Sequence, residues 1–147
     1  MMPTPRPDSP PLRFETRFGP MEAKDPNVVA FPEGIPGFES CRRWILVGSE
    51  ELAPLKCLLA LDGPEPSFLT VDPGIVVPGY VGDLGPAARA KVGAQPGDAF
   101  LWLGIVTLTD HRKATVNLKA PIVINTSRML GCQVILDGTA YPVDAPV

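Results

Sequence analysis

Alternating apolar and polar residues predict short β-strands along most of the chain. Near the start, Leu12, Phe14, Thr16 and Phe18 fall on one face of an extended segment, and charged residues fall on the other. This period of two is typical of a strand with one buried face and one solvent-facing side. The Gly19-Pro20 pair is expected to end the strand, because glycine and proline mark turns.

Similar patterns predict eight further strands, each bounded by turn-forming residues. They cover residues 28–31, 44–47, 55–61, 67–71, 99–109, 122–125, 133–136 and 139–142. The runs at 55–61 and in the first half of 99–109 are apolar on both faces, which favours positions in the middle of the sheet. Asp137-Gly138 is typical of a two-residue hairpin turn and is expected to join the last two strands.

Only one helix is predicted, over residues 86–92, where proline suits the first turn and Gly93 the end. Abundant proline and glycine, at 19 and 14 residues, disfavour longer helices. The expected fold is therefore mainly β: a small antiparallel β pseudo-barrel, barrel-like or sandwich-like, with at most one or two short helices.

The length of 147 residues fits one domain, which we place at residues 12–143. Residues 1–11 contain five prolines and are predicted to form a disordered tail, and residues 144–147 to fray. The sequence shows no secretion signal, and no apolar run approaches the ~20 residues that cross a bilayer. We therefore expect a cytoplasmic protein without a membrane partner.

Residues that carry catalysis or bind metals are few. His111 lies in a predicted polar turn, and the isolated Cys41, Cys57 and Cys132 are expected to be buried, reduced thiols. The carboxylates are scattered through predicted turns, although a catalytic pair meeting in space stays a minor alternative. We therefore predict no catalytic residues, metal, cofactor or small-molecule substrate, and a protein that is not an enzyme but binds other proteins.

Charge is distributed unevenly along the chain. Residues 62–98 hold five acids against two bases, whereas residues 111–128 hold four bases and no acid. Two interpretations remain: solvated turns on each side, or complementary patches that steer a charged protein partner. The net charge of −3 disfavours direct nucleic-acid binding, because such surfaces must neutralise phosphates. A small β-barrel that stacks RNA bases on Trp44, Trp102 and Tyr80 is the alternative function.

The segment from Thr115 to Ile122 interrupts the strand pattern. Pro121 cannot donate to a β-ladder, Ala120 has little side chain, and the Asn117 amide can satisfy free backbone groups. One interpretation is a bulge that turns the chain at a barrel corner. The other is a groove edge that receives a partner segment, and the two are compatible.

Four motifs in a fixed order carry a resemblance to a known protein family. The first spans Phe31 to Glu39 and reads Phe-Pro-Glu-Gly-Ile-Pro-Gly-Phe-Glu. A second signature spans Asn117 to Asn125, and segments 67–73 and 133–136 stand in the expected order between and after them. Together these motifs resemble the flagellar assembly factor FliW family, and the resemblance runs from about Phe14 to Tyr141. One departure is the segment 58–62, where the family usually has a Leu-Gln-Ser-like sequence.

The resemblance implies a β pseudo-barrel without enzyme activity or cofactor. It implies two partners, flagellin and the translational regulator CsrA. It further implies that binding of the factor to CsrA stops CsrA from repressing flagellin translation, and that free flagellin restores the repression by capturing the factor. We hypothesise that partner contacts involve Asn117, Leu118, Lys119, Ala120, Pro121 and Asn125. The first motif is expected to be mainly structural, through Phe31, Gly34, Ile35, Pro36, Gly37 and Phe38.

Overall fold

The structure is a computed structural model that describes residues 12–23, 28–62, 66–80, 82–109 and 113–147. Its strands are β1 (Leu12–Thr16), β2 (Gly19–Ala23), β3 (Val29–Ala30), β4 (Arg43–Gly48), β5 (Lys56–Ala60), β6 (Ser67–Val71), β7 (Phe100–Leu108), β8 (Ala114–Asn125), β9 (Leu130–Gln133) and β10 (Ala145–Pro146). Two short helices, α1 (Pro73–Val76) and α2 (Pro86–Lys91), lie between β6 and β7.

Seven of these strands close into a barrel. The hydrogen-bonded order runs β4, β3, β9, β8, β7, β6 and β5, and β5 pairs again with β4. Closure pairs every barrel strand on both sides, which removes the exposed edges of an open sheet. All barrel pairings are antiparallel except β3 with β9, which run parallel at Ala30 and Leu130. The mainly β pseudo-barrel with two short helices is thus confirmed.

Apolar side chains fill the barrel interior. They come from the inward-facing positions of the strands and from the turn between β3 and β4. The buried members of this interior are Val29, Phe31, Ile35, Cys41, Trp44, Leu58, Ala60, Leu103, Ile122 and Ile124. Each large aliphatic or aromatic side chain contributes roughly 1.5–3 kcal/mol when fully buried. The Trp44 indole Nε1 also donates a 2.8 Å hydrogen bond to the Cys41 carbonyl, so the polar atom of this core residue is satisfied.

Smaller apolar clusters cover the outside of the barrel. The β1–β2 hairpin packs on the outward residues of β4 and β5, α2 lies over β8 and β9, and β10 pairs with β8. Several barrel strands are therefore buried on both faces, which explains why the sequence pattern of β5 and of early β7 is apolar throughout. All three cysteines are buried and free, as predicted.

Several predicted boundaries are wrong. Gly19 and Pro20 do not end the first strand region but begin β2, since the turn lies at Arg17–Phe18 and Thr16 pairs with Gly19. The chain around Asp137-Gly138 turns without forming a hairpin, and residues 139–142 are not a strand. The strand predicted at 133–136 is instead β9, Leu130–Gln133.

The C-terminal residues also differ from the expectation of a frayed end at 144–147. Ala145 pairs with Val116 of β8, and its side chain is 6% exposed. The Val147 amide donates to the Ala114 carbonyl at 3.1 Å. Pairing and burial supply the contacts that a frayed terminus lacks.

Candidate partner-binding surface

Strand β8 continues through the segment that was expected to interrupt it, but it leaves the register of β7 there. Leu103 pairs with Ile122, whereas Ile105 pairs with Asn117. Residues 118–121 therefore stand opposite Gly104 alone, and we call them the β8 bulge. A bulge bends its strand and redirects side chains. The structure therefore contains the predicted bulge, and the partner contact stays a prediction.

Gly104 permits the close approach of the two strands beside the bulge. A Cβ atom placed on this glycine would lie 2.4 Å from Cγ2 of Val116, a distance that ordinary contacts do not reach. The buried Val116 side chain occupies the space that any larger residue would need. Glycine is therefore required here for packing rather than for a special backbone conformation.

Every backbone amide of the β8 bulge has a partner within the protein. The Asn117 Oδ1 accepts from the amides of Lys119 and Ala120, both at 3.0 Å. The Leu118 amide donates to the Pro142 carbonyl at 3.0 Å, and Pro121 has no amide hydrogen. Asn117 therefore replaces the ladder that β7 no longer supplies, as short polar side chains do in turns.

The four carbonyls of the bulge are satisfied as well. Those of Lys119 and Pro121 accept from the amides of Leu136 and Val134, at 2.8 and 2.9 Å. The Leu118 carbonyl accepts from the Tyr80 hydroxyl at 2.8 Å. The Ala120 carbonyl accepts from Nε2 of Gln133 at 3.0 Å. The bulge therefore offers no open strand edge, and a partner would have to recognise its side chains.

Burial divides the six predicted contact residues into two groups. Leu118, Pro121 and Asn125 are buried, and Leu118 packs in the apolar cluster beneath β8. Asn117, Lys119 and Ala120 are partly exposed. Only this second group presents side-chain surface that a protein could contact without rearrangement.

Asn125 instead connects three parts of the fold. Its Nδ2 donates to the Val92 carbonyl at 2.9 Å and to Oδ2 of Asp98 at 2.8 Å, and its Oδ1 accepts from the Ser127 amide at 3.1 Å. The bond from Asn125, helped by the Gln95 amide and the Arg128 guanidinium, holds the pKa of Asp98 below its usual range. The geometry gives Asn125 a structural role.

The oppositely charged segments also meet at this point. Arg128 Nε donates to Oδ2 of Asp98 at 3.0 Å, which joins the acidic and the basic segment of the sequence. These two charges therefore neutralise each other within the fold, and they do not form part of two separate charged patches. Arg112 lies outside the described residues, as does His111, so the predicted polar turn is not described.

The first motif forms a tight turn between β3 and β4. Phe31 and Ile35 are buried in the barrel core, Phe38 packs against it, and Pro36 and Gly37 are exposed. Gly34 adopts φ +68°, and a Cβ there would lie 2.6 Å from Cα of Glu39. Only glycine avoids both the strained conformation and the collision. The motif therefore packs within the fold, and its mainly structural role stays a prediction.

The family model described as FliW protein matches residues 14–147. This chain belongs to the FliW family. A relative from Moorella thermoacetica named "Flagellar assembly factor FliW" is 38% identical over 129 residues, 86% of this chain and 81% of the relative. One from Thermotoga sp. (strain RQ2), with the same name, is 34% identical over 130 residues, 87% of each chain.

A solved structure described as the flagellar assembly factor FliW superposes on this fold. Its TM-score is 0.77 at 30% sequence identity, and the match covers 91% of this chain and 95% of that one. The FliW match extends beyond Tyr141, where the resemblance read from the sequence motifs ended. It therefore includes β10, which agrees with the pairing of Ala145 with β8.

Two exposed apolar residues beside the β8 bulge of this FliW chain were missed at the sequence level. Ile135 is 65% exposed and lies between Val134 and Leu136, whose backbone amides donate to carbonyls of the bulge. Val143 is 59% exposed and follows Pro142, which accepts from the Leu118 amide. No local pattern distinguishes these residues from core positions, because their exposure depends on how the chain after β9 lies against β8.

The family departure at residues 58–62 has two of its five residues in the barrel interior. Leu58 and Ala60 point into the barrel core, so neither side chain is accessible to a partner. Asp62 accepts from Arg43 Nη2 at 2.7 Å, and this guanidinium holds the pKa of Asp62 below its usual range. In this FliW chain the segment therefore contributes two core side chains and an ion pair with β4.

Of the three aromatic residues that the RNA-binding alternative relies on, Trp102 and Tyr80 are partly buried. Trp44 is fully buried, so its ring is not available to stack on RNA bases. In the part of the chain that the structure describes, no group of three or more His, Cys, Asp or Glu side chains is placed to hold a metal ion. Among the same residues, no helix is long and apolar enough to cross a membrane.

Proposed function

We propose that this chain is a flagellar assembly factor that binds flagellin and the translational regulator CsrA as alternative partners. Binding of CsrA relieves its repression of flagellin translation, and free flagellin displaces CsrA by occupying the factor. The observation that carries the proposal is membership in the FliW family over residues 14–147. The relatives' name, flagellar assembly factor, supports the flagellar part, and the partners follow from the motif resemblance.

The β8 bulge is the surface that we propose for partner contact. Lys119 and Asn117 supply a charge and an amide, and Ala120 leaves space for an approaching side chain. The exposed Ile135 and Val143 add apolar area beside them. Protein interfaces commonly combine such an apolar patch with a polar rim. Because the bulge backbone is already satisfied, it is pre-organised and binding does not need to order it.

Competition between two protein partners requires neither catalysis nor a cofactor. Two ligands that exclude each other deplete one another according to their affinities and free concentrations. Each tenfold difference in affinity corresponds to about 1.4 kcal/mol of binding free energy. The switch therefore responds when free flagellin approaches its apparent dissociation constant, which free CsrA raises according to the ratio of its concentration to its own dissociation constant.

Calorimetric titration of the purified chain with flagellin, with CsrA, and with both tests the proposal. We expect each partner to bind alone, and each to weaken the apparent affinity of the other. A stable ternary complex with undiminished affinities would exclude the switch, and failure of both partners to bind would exclude the function.

Two matched substitutions locate the surface. Lys119→Glu reverses the charge on the bulge and is expected to weaken binding of at least one partner about tenfold. Lys113→Glu makes the same change at an exposed position just before β8 and is expected to leave both affinities within about twofold. Equal effects of the two variants would show that the net charge of the protein, rather than the bulge, determines the affinity for the partners.

A further inference from the structure

A large cleft opens away from the β8 bulge, at the end of β8 that contains Ile124. Its volume is about 960 Å³, and it lies between the β1–β2 hairpin, the β4–β5 connection and the turn after β8. Half-buried side chains of Leu46, Leu101 and Met129 form an apolar floor that continues into the barrel core. We call this feature the barrel-end cleft. Its volume falls in the range of specific binding sites, roughly 300–1,000 Å³.

Met129 is an unusual residue in the floor of this cleft. Its φ of 55° is left-handed, which is uncommon for a residue with a side chain. Its amide donates to the Asn125 carbonyl at 2.7 Å, and its carbonyl accepts from the Ala30 amide at 2.9 Å. A strained backbone held by such bonds is frequent at binding sites. Methionine is also flexible and polarizable, so it adapts to different apolar partners.

The described residues at the rim of the cleft include more acids than bases. Glu22, Glu50 and Glu51 line it, together with Arg13 and Lys56. Arg13 is already paired with Glu22, at 3.2 Å between Nε and Oε1. Among the described residues that line the cleft, the two exposed carboxylates of Glu50 and Glu51 therefore face one remaining base, Lys56. An occupant with positive charge next to its apolar residues would match this rim.

We propose that the barrel-end cleft is a docking site for a protein segment that combines apolar side chains with lysine or arginine. The apolar side chains would cover Leu46, Leu101 and Met129, and the basic residues would lie against Glu50 and Glu51. A fatty acid fits the apolar floor but would bring its carboxylate to an acidic rim. This site is separate from the β8 bulge and does not depend on the function proposed for the bulge.

Methyl NMR of the full chain with model peptides tests this assignment. Two amphipathic peptides of equal length are compared, one of leucine and lysine and one of leucine and glutamate, at physiological salt. We expect the leucine–lysine peptide to shift the methyl signals of Leu46, Leu101 and Met129 and to bind at least about tenfold more tightly than the other. Shifts confined to Ile135 and Val143 would place the binding on the β8 bulge and overturn the proposal.

Two matched double charge reversals distinguish an effect of the rim carboxylates on peptide binding from an effect of the net charge of the protein. The double variant Glu50→Lys/Glu51→Lys should weaken the leucine–lysine peptide at least about tenfold, whereas Asp83→Lys/Asp137→Lys, which changes two exposed acids elsewhere, should change it by less than about twofold. Equal weakening by both variants would overturn the proposal. The proposal would also be overturned if laurate, or a peptide with the sequence of residues 1–11, bound at the same methyl groups more tightly than the leucine–lysine peptide.

Discussion

The Asn125 amide and the Asp98 carboxylate are joined by a 2.8 Å hydrogen bond that spans 27 residues of sequence. This bond connects the loop before β7 with the turn that follows β8. Asp98 also accepts from the Gln95 amide at 2.9 Å and from the Arg128 guanidinium at 3.0 Å. The pair holds one end of β8 in place, whereas Asn117 satisfies the backbone of the bulge near the other end.

Replacing Asn125 with alanine should destabilise the fold. The side chain is fully buried, so its removal leaves the Val92 carbonyl without this donor and withdraws one from Asp98. Loss of a buried hydrogen-bonding group costs about 1–3 kcal/mol, which urea unfolding can measure. The exposed Asp137→Ala variant should stay within about 0.5 kcal/mol of the unmodified protein. Equal stability of Asn125→Ala and the unmodified protein would contradict this role.

The same substitution should change the response to acid. Because the pKa of Asp98 is lowered in the folded state, chiefly by the bond from Asn125, its stabilisation is present at neutral pH and is lost on acidification. The free energy of unfolding should therefore fall below about pH 4, and fall less steeply in Asn125→Ala. Urea titrations at several pH values measure both slopes. Parallel slopes would show that the Asn125 bond does not set the pKa of Asp98.

Tyr80→Phe should weaken the support of the bulge. The lost hydroxyl donates to the Leu118 carbonyl at 2.8 Å, and a net hydrogen bond of this kind contributes about 0.5–1.5 kcal/mol. Burial, together with the nearby Tyr141, raises the pKa of Tyr80 to about 12. The unmodified protein should therefore lose stability as the pH rises from about 10 towards 12, and Tyr80→Phe should lose less over that interval. Identical alkaline profiles would contradict the assignment.

Gly104→Ala should be destabilising because the added methyl group collides with Val116. A Cβ at position 104 would lie 2.4 Å from Cγ2 of Val116, so a side chain or a strand must move, and overpacking of this kind costs about 1–3 kcal/mol. Gly48→Ala is the matched control, since its nearest neighbour is a Lys56 side-chain atom at 3.6 Å. Combining Gly104→Ala with Val116→Ala should recover part of the loss in a double-mutant cycle. Additive losses would contradict a direct collision.

Ala145→Asp tests whether the C-terminal strand contributes to the fold. Ala145 is 6% exposed and packs in an apolar cluster against β8, so a carboxylate there would be buried among apolar side chains. We expect a loss of at least about 2 kcal/mol in urea unfolding. Val147→Asp introduces the same charge on a side chain that is 53% exposed, and should change stability by less than about 0.5 kcal/mol. Similar results for both variants would favour the frayed end expected from sequence.

Elements with strong local signals were predicted well. The strand at 67–71 agrees with β6 at both ends, and the helix at 86–92 differs from α2 by one residue. Alternation, proline at a first helical turn and glycine after the last one act over a few residues, so they are visible without the fold. The sequence did not distinguish the buried from the partly exposed members of the six residues proposed for partner contact, and their role stays a prediction.

Errors arose where distant residues decide the outcome. Residues 144–147 contain no strand pattern, yet β8 lies close enough to pair with Ala145. Asp137-Gly138 has the local composition of a hairpin, but its following residues pack beside the bulge, with the Pro142 carbonyl bonded to the Leu118 amide. In both cases a long-range hydrogen bond overrides the local preference.

The sequence by itself determined a β-rich chain with a buried apolar core, and its motifs indicated the family, because period, turn chemistry and motif order are properties of neighbouring residues. The tertiary structure decided that seven strands close into a barrel, that Asn125 is an interior connector and that the bulge backbone is satisfied. Those outcomes depend on donors and acceptors far apart in sequence, such as Tyr80 and Leu118 or Asn125 and Asp98. Only folding brings such atoms within hydrogen-bond distance.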